Sequence, residues 1–549
     1  MGHEEIVLDG HRLMPDDVAS VARRGTAVRL DPQAVPSIER SCRWVDEMVR
    51  SGRVVYGINT GLGSLQRVLV VQDEVKRLQR NVILSHATGV GDAMATECVR
   101  AAMLIRANAF ARGVSGVRVE LIALLVNMLN RGVHPVIPEK GSLGASGDLQ
   151  PLSAVGLVML GLGEAEYEGQ VIPGGEALRR ADLEPIELQA KEGLALNNGT
   201  AASSAIACLA LIDAENLLRN SDIALAMSLE ALQGFSRAYR EEMHAERPHE
   251  GQMETVRNVN RLVKGSQLLS AAGAHHDAYS LRCAPQVLGA IRDTVAFVRQ
   301  TLSVEINSAT DDPLILMDMA DPGDQDNYAV LGGNFHAEPV ALASDFLGIA
   351  ITEAASISER RTFRLLDENL NRGLPSQLVD DGGLNTGFMI AHYTAAALVS
   401  DCKTLAHPDS VDSIPTSENH EDHVSMATNA ARHAREILRN AEQVVAVELL
   451  CAAQALEYRI QGRRVRTVEN EMDESGSVVR RTIRVHRDLQ HAPPAEPGRG
   501  TMAAFRHLRE ASVSRLDEDR WLAPDMTRVA SMVHDGAVIG AVERELRTG

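Results

Sequence analysis

The stretch HVSMATNAARHAREILRNAEQVVAVELLCAAQALEYR, residues 423–459, sets the fold class. Alanine, leucine, glutamate and arginine, all good helix formers, recur through it at the three-to-four-residue spacing of one helix face. It exceeds an ordinary globular helix in length, which predicts long helices packed along one another in a bundle. The same pattern runs through residues 73–87, 95–113, 119–132 and 199–220. Aromatic residues are only 3% of the chain and β-branched alternation is scarce, so the sequence predicts an all-α protein.

Three segments interrupt the pattern. Residues 133–155 (VHPVIPEKGSLGASGDLQPLSAV) are rich in glycine, proline and serine and predict an ordered loop between helices, where chemistry is often carried. Residues 162–190 predict a small strand-and-turn excursion before the next helix. Residues 463–486 alternate arginine with valine, threonine and isoleucine on both sides of Asp-Glu-Ser-Gly-Ser, which predicts a surface β-hairpin, followed by the loop HAPPAEPGRG. The expected division is an N-terminal part over 1–200, a central long-helix bundle over 201–460 and a C-terminal region over 461–549. No repeat of fixed period occurs.

A chain of 549 residues allows about three or four folding units, though one large helical enzyme also fits. Hydrophobic residues at 45% and charged residues at 23% give the balance of a water-soluble globular protein. A net charge of −19 argues against a nucleic-acid or anionic-membrane partner, since either calls for a basic face. The opening MGHEEIVLDGHRL is acidic without an apolar core, unlike a secretory signal, and no uninterrupted apolar run is long enough to span a bilayer. Six scattered cysteines without C-x-x-C pairs read as reduced thiols, so the expected location is cytoplasmic.

The most informative block is GSLGASGDLQPLS, residues 141–153. Ala145-Ser146-Gly147 is what an autocatalytic backbone cyclisation requires. The Gly147 nitrogen, unshielded by a side chain, can reach the Ala145 carbonyl carbon, and Ser146 then yields an exocyclic alkene by losing water. For an isolated Ala-Ser-Gly a tight glycine-rich loop is the better reading.

The whole block resembles the signature of the histidine/phenylalanine ammonia-lyase family, the aromatic amino acid ammonia-lyases and aminomutases. Further matches follow in the family's order: VYGINTGLGSL (55–65), LSHATGVGD (84–92), EGLALNNGT (192–200), RPHEGQ (247–252), DAYSLRCAPQVLGA (277–290), GGNFHAEPVA (332–341), LNTGFMIA (384–391) and VDSIPTSENHEDHVSM (411–426). The resemblance implies that Ala145, Ser146 and Gly147 become 4-methylidene-imidazol-5-one, with no external cofactor. Such a group meets a chemical need. A β-proton is weakly acidic and an amine leaves poorly, so elimination needs a base together with an electrophile that activates the nitrogen.

Residue by residue, the resemblance implies that Tyr56 is the β-proton base, its pKa lowered from about 10. Tyr279 assists cofactor formation or catalysis, and Arg282 pairs with the substrate carboxylate in a fork that lysine would not reproduce. Asn198 lies by the cofactor and substrate carboxylate, and Phe335 walls the pocket. For these positions the plain alternatives are a packed tyrosine, a structural salt bridge for the arginine and a helix cap for the asparagine. His86 and Glu421 bear on the substrate. His86 sits where the histidine branch carries histidine, although a Ser-His pair also occurs in some tyrosine aminomutases. Glu421 resembles the histidine branch, where a glutamate can hydrogen-bond an imidazole, whereas aromatic-specific relatives usually carry glutamine.

The run His420-Glu421-Asp422-His423 lacks the H-E-x-x-H spacing of a zinc site, and the resemblance implies no catalytic metal there. Departures from the histidine branch are His276 in place of glutamine before Asp277, His420 in place of glutamine before Glu421, and Asn197 in place of an aliphatic residue before Asn198. The first two substitute an imidazole for an amide near the expected substrate, which changes the donor-acceptor balance.

The resemblance thus implies an all-α fold of the histidine/phenylalanine ammonia-lyase type, with a smaller N-terminal part carrying the cofactor loop, and a homotetramer whose sites are each built from three subunits. The expected activity is elimination of ammonia from L-histidine to give trans-urocanate. The alternatives are a modified histidine or another aromatic amino acid as substrate, a 2,3-aminomutase, or a non-catalytic helical scaffold.

Overall fold

The computed structural model describes residues 5–270, 276–319, 327–462, 466–472, 475, 478–485 and 495–547. Its longest elements are the helices Ala201–Ala231, Ala284–Glu305, Glu338–Leu366 and Ala427–Gln461. The described strands are short and form sheets of two or three strands. The all-α reading therefore stands, and the stretch that led to it forms a helix of 35 residues.

The chain divides into two compact units, each discontinuous in sequence. The first comprises Met1–Ile212, Phe297–Phe346 and Pro408–Arg435, and the second Asp213–Ala296, Leu347–His407 and Glu436–Gly549.

In the first unit the helices Val75–His86, Thr96–Ala111 and Val119–Asn130 match the predicted stretches. Every residue from Cys98 to Ala111 is buried, the condition of a helix enclosed on all sides. Its buried arginines reach backbone oxygens: Arg100 donates to Val21 and Leu129, and Arg106 Nη1 to Asn198, while Arg106 Nη2 lies 3.5 Å from the buried Asp311 carboxylate. Segment 133–155 is less of a loop than its composition predicts, because the helix Leu149–Met159 starts inside it. Pro151 lies in the first turn of that helix, where a missing N–H costs nothing. Residues 164–180 form the predicted excursion, with Glu164–Tyr167 and Gln170–Pro173 paired antiparallel ahead of the helix Gly174–Arg180.

In the second unit a fully buried Glu448 carboxylate is gripped by both arms of Arg361, at 2.6 and 2.7 Å, and by the hydroxyls of Ser228 and Ser358. Four donors on two oxygens, including a bidentate guanidinium, are what a desolvated carboxylate needs. The grip fixes the register of three long helices against one another. Arg466–Met472 and Val478–Val485 pair antiparallel. Residues 473, 474, 476 and 477 of the expected turn, and 486–494 with part of the HAPPAEPGRG loop, lie outside the described residues.

Two helices, Ala201–Ala231 and Glu338–Leu366, are long and apolar enough to cross a membrane by composition, contrary to the reading of the sequence. Their apolar windows are 83% and 67% buried within the protein, which marks them as core helices. All six cysteines are free thiols.

Candidate active site

Residues 141–148 form the tight part of the glycine-rich segment, and its backbone requires its glycines. Gly147 has φ +72°, and a side-chain carbon there would stand 2.2 Å from the Gly199 carbonyl oxygen. That contact belongs to a two-way clasp: Asp148 N–H donates to Gly199 O at 2.7 Å and Gly199 N–H donates to Ser146 O at 3.2 Å. The Asn198 amide donates to the same Ser146 oxygen at 2.9 Å. This side chain does not cap a helix; it reaches into the loop. The neighbouring Asn197 is fully buried and donates to Ser153 Oγ, so its departure from the family pattern is a packing feature outside the pocket lining.

Asp148 anchors the loop from beneath. Its fully buried carboxylate accepts from Ser142 Oγ, Thr428 Oγ1 and both the N–H and hydroxyl of Ser203, all at 2.7–3.0 Å. Burial nonetheless pushes its pKa up.

Above the loop, Ser146 Oγ donates to Glu421 Oε1 at 2.8 Å, and Glu421 Oε2 accepts from Thr416 Oγ1 at 2.7 Å. Glu421 is delivered by a turn closed by reciprocal Thr416 and Glu421 backbone bonds. Within that turn Ser417, Glu418 and Asn419 all have φ between 51° and 69°. Three successive non-glycine residues in the left-handed region are costly, and such strain clusters at functional sites.

Of these groups, Ser146, Asn198, Ser417 and Glu421 line a cleft of about 680 Å³ in the first unit. Of the residues expected at the site, Tyr56, His86, Ala145, Ser146, Asn198, Phe335, His420 and Glu421 line it. His276, Tyr279 and Arg282 belong to the second unit and are not among the lining residues. There the Tyr279 ring is 70% exposed with the Arg282 guanidinium 4.6 Å above it, and His276 is also exposed. Asp277 behind them is pinned by Arg372 and the Phe235 N–H.

The Tyr56 hydroxyl receives the Gly63 N–H at 3.4 Å. Burial pushes this phenol's pKa up; the Gly63 contact offsets part of the rise, and the Asp312 and Glu421 carboxylates add to it. Within one chain Tyr56 is therefore a weaker acid than usual, the reverse of the expected lowering. Its loop is anchored at the near end, where Asn59 bonds Val55 N–H and Arg53 O and Ile58 is fully buried. His86 Nδ1 lies 2.8 Å from Val82 O. A carbonyl only accepts, so Nδ1 carries a proton and Nε2 is the ring nitrogen left for another partner.

Reading the sequence missed Asp312, which lines the cleft and accepts from Gly332 N–H, and the lining roles of His336 and His423. HAEP and EDH were visible as motif residues; Asp312 stands in an ordinary SATDDP run. Among the described lining residues there are three carboxylates and four imidazoles but no lysine or arginine.

Comparisons with known proteins bear on the family and the fold. The family model described as aromatic amino acid lyase matches residues 13–477. A histidine ammonia-lyase of Caldanaerobacter subterraneus is 46% identical over 544 residues, 99% of each chain. The solved histidine ammonia-lyase of Trypanosoma cruzi superposes with a TM-score of 0.85 at 36% identity, over 98% of this chain and 95% of that one. A tyrosine aminomutase from Streptomyces globisporus gives 0.87 at 33% identity, over 98% and 99%. Match and fold both run through the loop that carries Ala145-Ser146-Gly147, and the chain belongs to the aromatic amino acid lyase family.

Proposed function

We propose that this protein is a histidine ammonia-lyase, a carbon-nitrogen lyase converting L-histidine to trans-urocanate and ammonia. The observation that carries the proposal is Ser146 held in the cleft between two donors on its carbonyl, Asn198 Nδ2 and Gly199 N–H, and the Glu421 acceptor on its hydroxyl. Residues 145–147 fit 4-methylidene-imidazol-5-one: Gly147 tolerates no side chain, and the Ser146 oxygen, which cyclisation retains, already has two donors. When formed, the group supplies an electrophilic alkene that takes up the substrate amine and turns it into a leaving group.

The chain's own residues do the rest. Asn198 Nδ2 and Gly199 N–H are positioned to stabilise negative charge on the Ser146 oxygen. Dehydration removes the hydroxyl that occupies Glu421 Oε1. That oxygen then becomes free to accept an imidazole N–H while Thr416 keeps Oε2 in place. His86 Nε2 and His420 offer further partners for a polar ring, and Phe335 covers it. Tyr56 takes the β-proton once a cation offsets the burial and the carboxylates that raise its pKa.

The substrate carboxylate needs a cation that the described lining residues lack. The proposal therefore assigns it to Arg282 of another copy, with Tyr279 and His276 beside it, in a cytoplasmic homotetramer. Exposure of Tyr279 supports this assignment.

Intact mass tests the reading. The wild-type chain is expected two water molecules lighter than its sequence mass, with the deficit abolished in Ser146→Ala. A wild-type chain of full sequence mass would overturn it.

A further inference from the structure

We propose that His336, Glu338 and His423 form a binding site for a borderline divalent cation of the zinc class, at the rim of the cleft. The three come from two separated segments. His336 lies in the turn that leads into the helix Glu338–Leu366, Glu338 is the first residue of that helix, and His423 follows the strained turn that delivers Glu421. One ligand atom from each lies within 4.8 Å of the other two. His336 Nε2 and His423 Nδ1 are 3.2 Å apart. Two imidazole nitrogens bound to one tetrahedral zinc stand about 3.3 Å apart, given bonds of 2.0–2.1 Å.

A hydrogen bond between the two rings accounts for that distance alone, but it leaves Glu338 unexplained. The Glu338 Oε2 atom is buried and has no hydrogen-bond partner among the described residues. A desolvated carboxylate oxygen without a donor is costly, and a cation bridging it to two imidazoles removes the cost. Two neutral histidines and one carboxylate form a set that zinc accepts, with a fourth position left open. Coordination through His336 Nε2 puts that ring's proton on Nδ1 and forfeits two long contacts, the Glu338 N–H on Nδ1 at 3.4 Å and the Nε2 contact with the His423 carbonyl at 3.3 Å.

Spacing within residues 420–423 could not reveal this site, because only His423 of that run takes part. Phe335 and Glu421, which line the cleft, are close in sequence to these ligands. An ion here would clamp the two segments that carry them.

The test uses purified full-length protein dialysed against a chelator and titrated with Zn²⁺ in a calorimeter. Co²⁺ serves as the spectroscopic probe. The expected result is one ion per chain, with a tetrahedral Co²⁺ spectrum free of the thiolate charge-transfer band that cysteine ligands would give. Zn²⁺ is also expected to raise the thermal midpoint. His336→Gln, Glu338→Gln and His423→Gln should each weaken binding at least about tenfold, while His420→Gln, in the same cleft but outside the triad, leaves it unchanged. Wild-type protein that takes up no stoichiometric ion, or a Co²⁺ spectrum dominated by thiolate, overturns the proposal without reference to any variant. So does undiminished binding by His336→Gln/His423→Gln.

Discussion

Replacing Gly147 by alanine tests the backbone argument most sharply. Its φ of +72° costs an alanine about 1–2 kcal/mol. The added carbon would also stand 2.2 Å from Gly199 O, where an ordinary C···O contact is about 3.3 Å. The gap must open by roughly 1 Å, which takes the 2.7 Å bond from Asp148 N–H to Gly199 O out of range and stretches the 3.2 Å bond from Gly199 N–H to Ser146 O. Two lost buried bonds at about 1 kcal/mol each bring the total to roughly 3–4 kcal/mol. That is two to three decades in the population of the loop geometry that precedes cyclisation. Gly132→Ala is the control, because Gly132 has the same φ of +73° but nothing within 4 Å of the added carbon. It should lose only the conformational part. The assay is the time course of the two-water mass deficit on refolding, read beside the thermal midpoint. Gly147→Ala that cyclises at the wild-type rate, or the two variants behaving alike, would refute the clasp.

Three further outcomes are expected. Asp312→Asn removes a negative charge that raises the Tyr56 pKa, so the rise of kcat/KM with pH should move to lower pH; a profile that stays put or moves upward contradicts the electrostatics. Asn198→Ala should keep the mass deficit yet lose about 10²–10³ in kcat, as removal of an oxyanion donor does, which single-turnover kinetics would read. Tyr56→Phe and Arg282→Lys should each be nearly inactive as pure oligomers, but co-expression should restore activity because mixed assemblies contain intact sites. Absence of complementation would mean that each chain completes its own site.

The helices were the most legible part of the sequence. The stretches at 73–87, 95–113 and 119–132 become helices ending within two residues of the predicted limits, since apolar periodicity reports burial directly. Helix Ala201–Ala231 runs eleven residues past its predicted end at 220, through the polar run Asn220, Ser221 and Asp222, which is buried. In the other direction, the helix expected from residue 423 starts only at Ala427, after Met426 at φ 55°. The cofactor loop and most of the cleft lining could be named because they fall in motif blocks. Asp312 could not, and neither could the meeting of His336 with His423, since both depend on chain segments that only the fold brings together. The pKa of Tyr56 was illegible for a similar reason: its sign depends on burial and on two carboxylates from distant parts of the sequence.

Elimination of ammonia from histidine can be followed directly. Purified protein is incubated with L-histidine while the urocanate chromophore and free ammonia are followed in the same tube. Both are expected, in equal amounts, and neither with Ser146→Ala. A protein that carries the two-water mass deficit but yields no urocanate from L-histidine, or that returns the nitrogen to the β-carbon, would contradict it.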